Sequence, residues 1–201
     1  MPQYPWAQPR KRPLQIPRAR VTVPPASLPV TLTEAKHQLS IAVDDDSHDP
    51  RLQRLIEAAV EMVEGDTNLS LITKTYAQTQ PYTDEINLLF QPVQSVASVQ
   101  LVKPNASPVA VPSADYVVDT AAGTLRLLEV QVDADPIEDQ LKVTYDAGHA
   151  TAAAVPALAK HSILLMVAFW FENPDMIMAD NMSSMMAYEK LKTRLMRSRY
   201  P

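Results

Sequence analysis

Between Pro156 and Glu172 the chain carries a helix-length segment that is apolar nearly all round, including the run from Ser162 to Phe171. Asn173 and Pro174 stop it, since proline cannot continue a helix and disfavours one in the residue before it. A helix without a polar face must be surrounded. The segment is therefore predicted to be the central helix of a helical core or of a subunit interface. It is well short of the roughly 18–20 apolar residues that cross a bilayer, and the N-terminus shows no signal-peptide pattern, so nothing points to a membrane or to secretion.

Other helices can be placed around it. Thr31 and Glu34 have the spacing of a capping box, which predicts a short helix to about Leu39. After an acidic loop holding Asp44, Asp45, Asp46 and Asp49, Asp49 can cap a second helix with Pro50 in its first turn. Leu52, Leu55, Ile56, Ala59 and Val63 then form one apolar stripe, and Gly65 is placed to end the helix. A final helix is expected from Met185 to about Arg199.

Between the second helix and the apolar one the pattern becomes that of strands separated by Pro, Asn, Asp and Gly turns. Strands are predicted near 71–79, 85–90, 96–103, 115–119, 123–128 and 140–146. The expected fold class is thus α+β: a helical core of about four helices, with a small antiparallel β-module inserted between the second and third. The expected divisions are a proline-rich basic arm (1–29), N-terminal core helices (30–70), the β-module (71–150), and the apolar and basic C-terminal helices (151–201). Seven prolines within the first 27 residues make that arm extended, unsuited to a helix or a central strand.

Charge is segregated along the chain. Residues 1–27 hold Arg10, Lys11, Arg12, Arg18 and Arg20 and no acid, whereas residues 184–201 hold five basic groups against Glu189 alone. With a total of −5, the remaining body carries −14. Basic ends on an acidic body imply that the ends touch a partner or the acidic bodies of neighbouring copies. The 46% hydrophobic and 20% charged fractions are those of a chain that folds. The absence of cysteine excludes disulfides and thiolate metal sites, as suits assembly in a reducing cytoplasm.

The inventory for catalysis is thin. His37, His48, His149 and His161 lie in separate elements without ligand spacing, and three glycines are too few for a phosphate-cradling loop. Asp44, Asp46, His48 and Asp49 could wrap a hard cation, but lack the glycine and distal glutamate of a calcium loop. Acids ahead of a helix are also favoured by its dipole alone. The chain is expected not to be an enzyme and to use no cofactor and no metal. An alternative reading is a nucleic-acid-binding accessory protein acting through its basic termini, although the acidic body would repel DNA.

Seven segments in order, 30–39, 49–65, 71–75, 88–99, 114–119, 143–148 and 155–173, together resemble the head-tail connector (adaptor, head completion) proteins of long-tailed phages, in the subgroup with a β-rich insertion between its helices. That resemblance implies a virion structural protein of the neck: a dodecameric ring that binds beneath the portal, prolongs the DNA channel, and receives the next connector, stopper or tail protein. Genomic DNA would pass through without sequence-specific contact. By similarity the C-terminal segment is the candidate portal-binding surface, with Tyr188, Lys190, Lys192, Arg194, Arg197 and Arg199 beside an apolar face of Met185, Met186, Leu191 and Leu195. A second partner-binding surface is the arm, through Tyr4, Trp6, Arg10, Lys11, Arg12, Leu14 and Ile16.

Overall fold

The computed structural model describes residues 16–104, 106–128, 138–173 and 182–199. Four α-helices and eight strands run along them: β1 (Arg18–Val23), α1 (Leu32–Gln38), α2 (Asp49–Thr67), β2 (Lys74–Pro81), β3 (Glu85–Asn87), β4 (Val93–Val102), β5 (Val109–Val111), β6 (Tyr116–Asp119), β7 (Thr124–Leu127), β8 (Gln140–Ala147), α3 (Ala157–Glu172) and α4 (Met182–Arg199). The fold is α+β, as expected, with β2 to β8 between α2 and α3.

Helix α1 begins where the capping box puts it. The Glu34 amide donates to Thr31 Oγ1 at 3.2 Å, and the Thr31 amide donates to Glu34 Oε2 at 2.7 Å, satisfying two otherwise free helix-start donors. Asp49, expected as the cap of α2, instead lies inside the helix, with Oδ1 2.8 Å from the Lys36 ammonium. The helix also outruns Gly65 and ends at Asn68, whose φ of 52° supplies the left-handed turn. Thr67 holds the last turn by donating its hydroxyl to the Val63 carbonyl at 2.6 Å.

The helical core forms where α2 meets α3. Leu52, Ile56, Ala59 and Val63 of α2 are buried with Ala159, Ile163, Met166 and Val167 of α3, and Val30, Ala35, Leu71 and Ile72 close the cluster. Leu55, counted in the predicted stripe, is half-buried at its margin. Helix α3 buries Ala159, Ile163, Met166 and Val167 fully, while Leu164, Leu165, Trp170 and Phe171 are half-buried at the margin of the same cluster. Among the described residues no helix is long and apolar enough to cross a membrane.

The β-module has its own core. Five antiparallel strands run in the order β1-β2-β8-β4-β5, and three more in the order β3-β7-β6. Strand β8 alternates strictly, burying Leu141, Val143, Tyr145 and Ala147, the period-2 signature of a half-covered strand. These pack with Tyr76, Val99 and Leu101 of the larger sheet and Ile86, Leu125 and Leu127 of the smaller. Leu71 and Ile72, predicted to begin a strand, join the helical core instead, so β2 starts at Lys74.

Two strands were not anticipated. β5 is a three-residue edge, and β1 is drawn from the arm, pairing with β2 from Arg18↔Thr79 to Val23↔Thr75. Pro17 and Pro24 bracket a proline-free stretch of six residues, and an edge strand is where a proline-flanked segment can enter a sheet.

Two features tie the module to the helices. Glu64 of α2 is buried, forms an ion pair with Lys74 of β2, and accepts the Leu71 amide at 2.9 Å. At the far end of β8, Gly148 has φ 122°, and a Cβ there would stand 2.5 Å from the Ile72 carbonyl carbon and oxygen. Only glycine allows that approach. It lets the backbone of Ile72 and His149 bridge, with the Thr73 amide donating to the His149 carbonyl at 3.1 Å.

Candidate docking surfaces

Helix α4 is placed by three positions at heptad-like spacing. Tyr188 and Leu195 are buried against α2 and α3, with Leu191 half-buried between them. Tyr188 donates its hydroxyl to Asp66 Oδ2 at 2.9 Å. Burial first, and then the Asp66 carboxylate, push the Tyr188 phenol well above its ordinary pKa, so it stays a donor. Lys192 lies beside this contact, 2.7 Å from Glu189 Oε1, 3.7 Å from Asp66 Oδ2 and 5.8 Å from the centre of the Tyr188 ring. Its hydrogen bond to Glu189 raises its pKa, so it too stays charged.

The opposite side of α4 is open. Met186, Lys190, Thr193 and Arg194 are exposed, and positions four and seven or eight apart share one helix face. The ten C-terminal residues singled out from sequence are therefore divided. Met186, Lys190 and Arg194 point outward, Leu191 and Lys192 are half-buried, and Tyr188 and Leu195 serve the chain's own core. The side chains of Met185, Arg197 and Arg199 lie outside the described residues. Met186 and Leu195 consequently do not share the single apolar face expected of them. The spacing of Tyr188, Leu191 and Leu195 was the sequence signal for the inward face.

At the N-terminal end, Tyr4, Trp6, Arg10, Lys11, Arg12 and Leu14 lie outside the described residues, while Ile16 is exposed just before β1. β1 itself buries no side chain fully, and its Thr22 hydroxyl donates to the Thr75 carbonyl at 3.1 Å.

The acidic loop ahead of α2 holds a cation belonging to the protein. The buried Lys36 ammonium lies 2.8 Å from Asp49 Oδ1 and 3.3 Å from Asp46 Oδ1, and donates to the Val43 carbonyl at 3.0 Å. Asp49, foremost, holds the Lys36 pKa above its usual value. Among the described residues no group of three or more metal-ligating side chains converges. His48 packs edge-on to Phe171, with ring centres 5.3 Å apart. Arg51, not singled out from sequence, donates to the Phe171 carbonyl at 2.9 Å with its guanidinium 4.6 Å from the centre of that ring. It thereby caps the negative C-terminal end of α3.

No curated protein matches the chain significantly. Among solved structures, the fold is similar to chains in three assemblies. One is the neck of an empty GTA particle computed with C6 symmetry, with TM-score 0.69, 20% identity, and coverage of 87% of this chain and 94% of that one. Another is the virion of a native gene transfer agent particle, at 0.65 and 19%, covering 86% and 94%. The third is the neck of the native particle computed with C12 symmetry, at 0.63 and 21%, covering 88% and 94%. Residues 30–177 match the family model described as head completion protein, a stretch running from the residue before the α1 capping box through β2–β8 and α3 to five residues past the end of α3. The chain therefore belongs to the head completion protein family.

Proposed function

We propose that this chain is a structural head-tail connector subunit of the virion neck. In this reading, copies form a ring, twelvefold by resemblance, beneath the portal, prolong the DNA channel, and offer an attachment surface to the next connector or tail component. The family match over residues 30–177 carries the reading, and the similar chains in GTA neck assemblies of C6 and C12 symmetry support it. The geometry adds a way to dock. Tyr188 and Leu195 fix one face of α4, so that Met186, Lys190 and Arg194 face outward as a basic stripe with an adaptable methionine. That stripe is the portal-facing surface. The arm, through Tyr4, Trp6, Arg10, Lys11, Arg12, Leu14 and Ile16, is a second one.

Capture of the protein by purified portal, followed by negative-stain imaging, tests the proposal. Rings seated on the portal are the expected result, and a monomer indifferent to portal would overturn it. Charge reversal of the stripe, Lys190→Glu with Arg194→Glu, is expected to weaken capture at least tenfold without changing the circular dichroism spectrum. Undiminished capture removes α4 from the docking surface.

A further inference from the structure

We infer that β1 is an exchangeable strand: in the assembled ring, Arg18–Val23 of one copy occupies the β2 edge of the next copy. The inference deepens the ring reading above and rests on it.

The first support is how β1 is held. None of its six side chains is fully buried; Ala19 alone is half-buried, and Val21 and Val23 remain about half exposed. Its attachment is the main-chain ladder to β2, the Thr22 hydroxyl on the Thr75 carbonyl, and the contact of the small Ala19 side chain with the β-module core. A second copy would supply that same ladder with the same residues. The β2 edge, by contrast, needs an occupant. Tyr76, Ala77, Gln78 and Gln80 of β2 are buried, and an uncovered edge beside them would offer unpaired backbone groups to any strand.

The second support is the connection. Residues 24–28 join β1 to the buried Pro29 and Val30; Pro24 and Pro25 stiffen the start of this short hinge, which bends at Ala26 and Ser27 and could reach about 15 Å if drawn out. An open groove of about 490 Å³ runs between this hinge, the start of α1 and Gln53 of α2, so Ala26 and Ser27 border open space while Leu28 packs against the helical core. The β1–β2 register also becomes irregular between Val21 and Val23, immediately before the hinge. Short stiff hinges of this kind favour exchange of an identical element between copies.

The third support is charge. Bodies carrying −14 repel when set side by side, and the arm carries +5. An arm crossing the joint places basic residues, Arg18 and Arg20 among them, between two acidic surfaces. An arm kept on its own body leaves that joint bare. A strand passed to the next copy is also a head-to-tail contact, which is the type that closes a ring.

The chain has no cysteine, which makes the test direct. Arg18 and Thr79 are register partners, and facing strand positions lie within disulfide reach. Copies carrying Arg18→Cys are mixed with mass-tagged copies carrying Thr79→Cys, assembled, oxidised, and run without reductant. No bridge between these two sites can form within one chain, so the expected result is a covalent heterodimer as the main product. Native mass spectrometry of the same sample reads ring formation. Rings without the heterodimer overturn the exchange and leave the ring reading intact; monomers without it overturn both. As a second variant, the doubly substituted chain should give a ladder of covalently linked copies, and internally bridged single chains alone would overturn the inference.

Discussion

In the helical core the buried side chains are mostly aliphatic, the Tyr188 hydroxyl reaches out to Asp66, and the buried charges of Lys36 and Glu64 sit at the margins. The β-module instead carries Gln78 inside. Its Nε2 donates to the Asn87 carbonyl and to Gln80 Oε1, both at 2.9 Å, and its Oε1 accepts the Leu89 amide at 2.9 Å and the Tyr145 hydroxyl at 3.3 Å. Tyr145 in turn accepts the Phe90 amide at 3.1 Å, and Tyr76 stacks on Phe90 with ring centres 4.4 Å apart. One core is specified by volume, the other by which hydrogen bonds its loops can make. A helix pair tolerates small shifts along its ridges. The segment 87–90, which ties β3 to the large sheet, cannot shift without stranding a buried polar group.

The junction between the two cores is where disruption should cost most. Gly148→Ala combines a backbone angle reserved for glycine with collision against the Ile72 carbonyl, and should destabilise by about 4 kcal/mol in urea titration. Ile163→Ala should cost about 3 kcal/mol. Hydrogen exchange should then show faster exchange in α2 and α3 while the β8 amides keep wild-type protection. Equal acceleration in both would break the division into two cores. Gln78→Met keeps the volume but strands the Leu89 amide, and should cost about 2 kcal/mol; a cost as small as that of an aliphatic swap would deny the β-module its polar specification.

The smallest effect lies at α1. Thr31→Ala should cost about 1 kcal/mol, with a pH signature. Partial burial of Glu34 works to raise its pKa, but the hydrogen bonds from Thr31 and the Lys160 charge outweigh it and leave the value lowered. A lowered folded-state value means stability present above the ordinary value of 4.5 and lost as pH falls through the folded one. The gap between wild type and variant should be full at pH 7 and shrink below pH 4.5. A gap unchanged in acid would show that Glu34 does not take part in the cap.

The parts legible from sequence were those fixed by neighbours in sequence: the Thr31–Glu34 cap, the stripe of α2, the apolar span of α3, and the alternation of β8. β1 was not, because whether a six-residue stretch between prolines pairs depends on the distant edge of β2. The same holds at the C-terminus. The basic residues were plain to see and the spacing of Tyr188, Leu191 and Leu195 marked an inward face, but that Asp66 of α2 receives the Tyr188 hydroxyl depends on where α2 ends up. Lys36 carries no sequence signal of its own, and its burial follows only once the acidic loop folds over it. Family membership was legible because it lay in the order of many weak segments rather than in one motif.

The bridge between Ile72 and His149 also bears on how fast this chain can fold. Thr73 and His149 meet across 76 positions in sequence, and closing a loop of that length costs entropy that grows as the logarithm of its length. Once the β-module has formed, that entropy is already lost, and α2 and α3 are joined as if by a short turn. Their long-range contact then becomes a local one, and local contacts form quickly. Sheets formed first would thus spare the flanking helices most of the loop-closure cost of meeting.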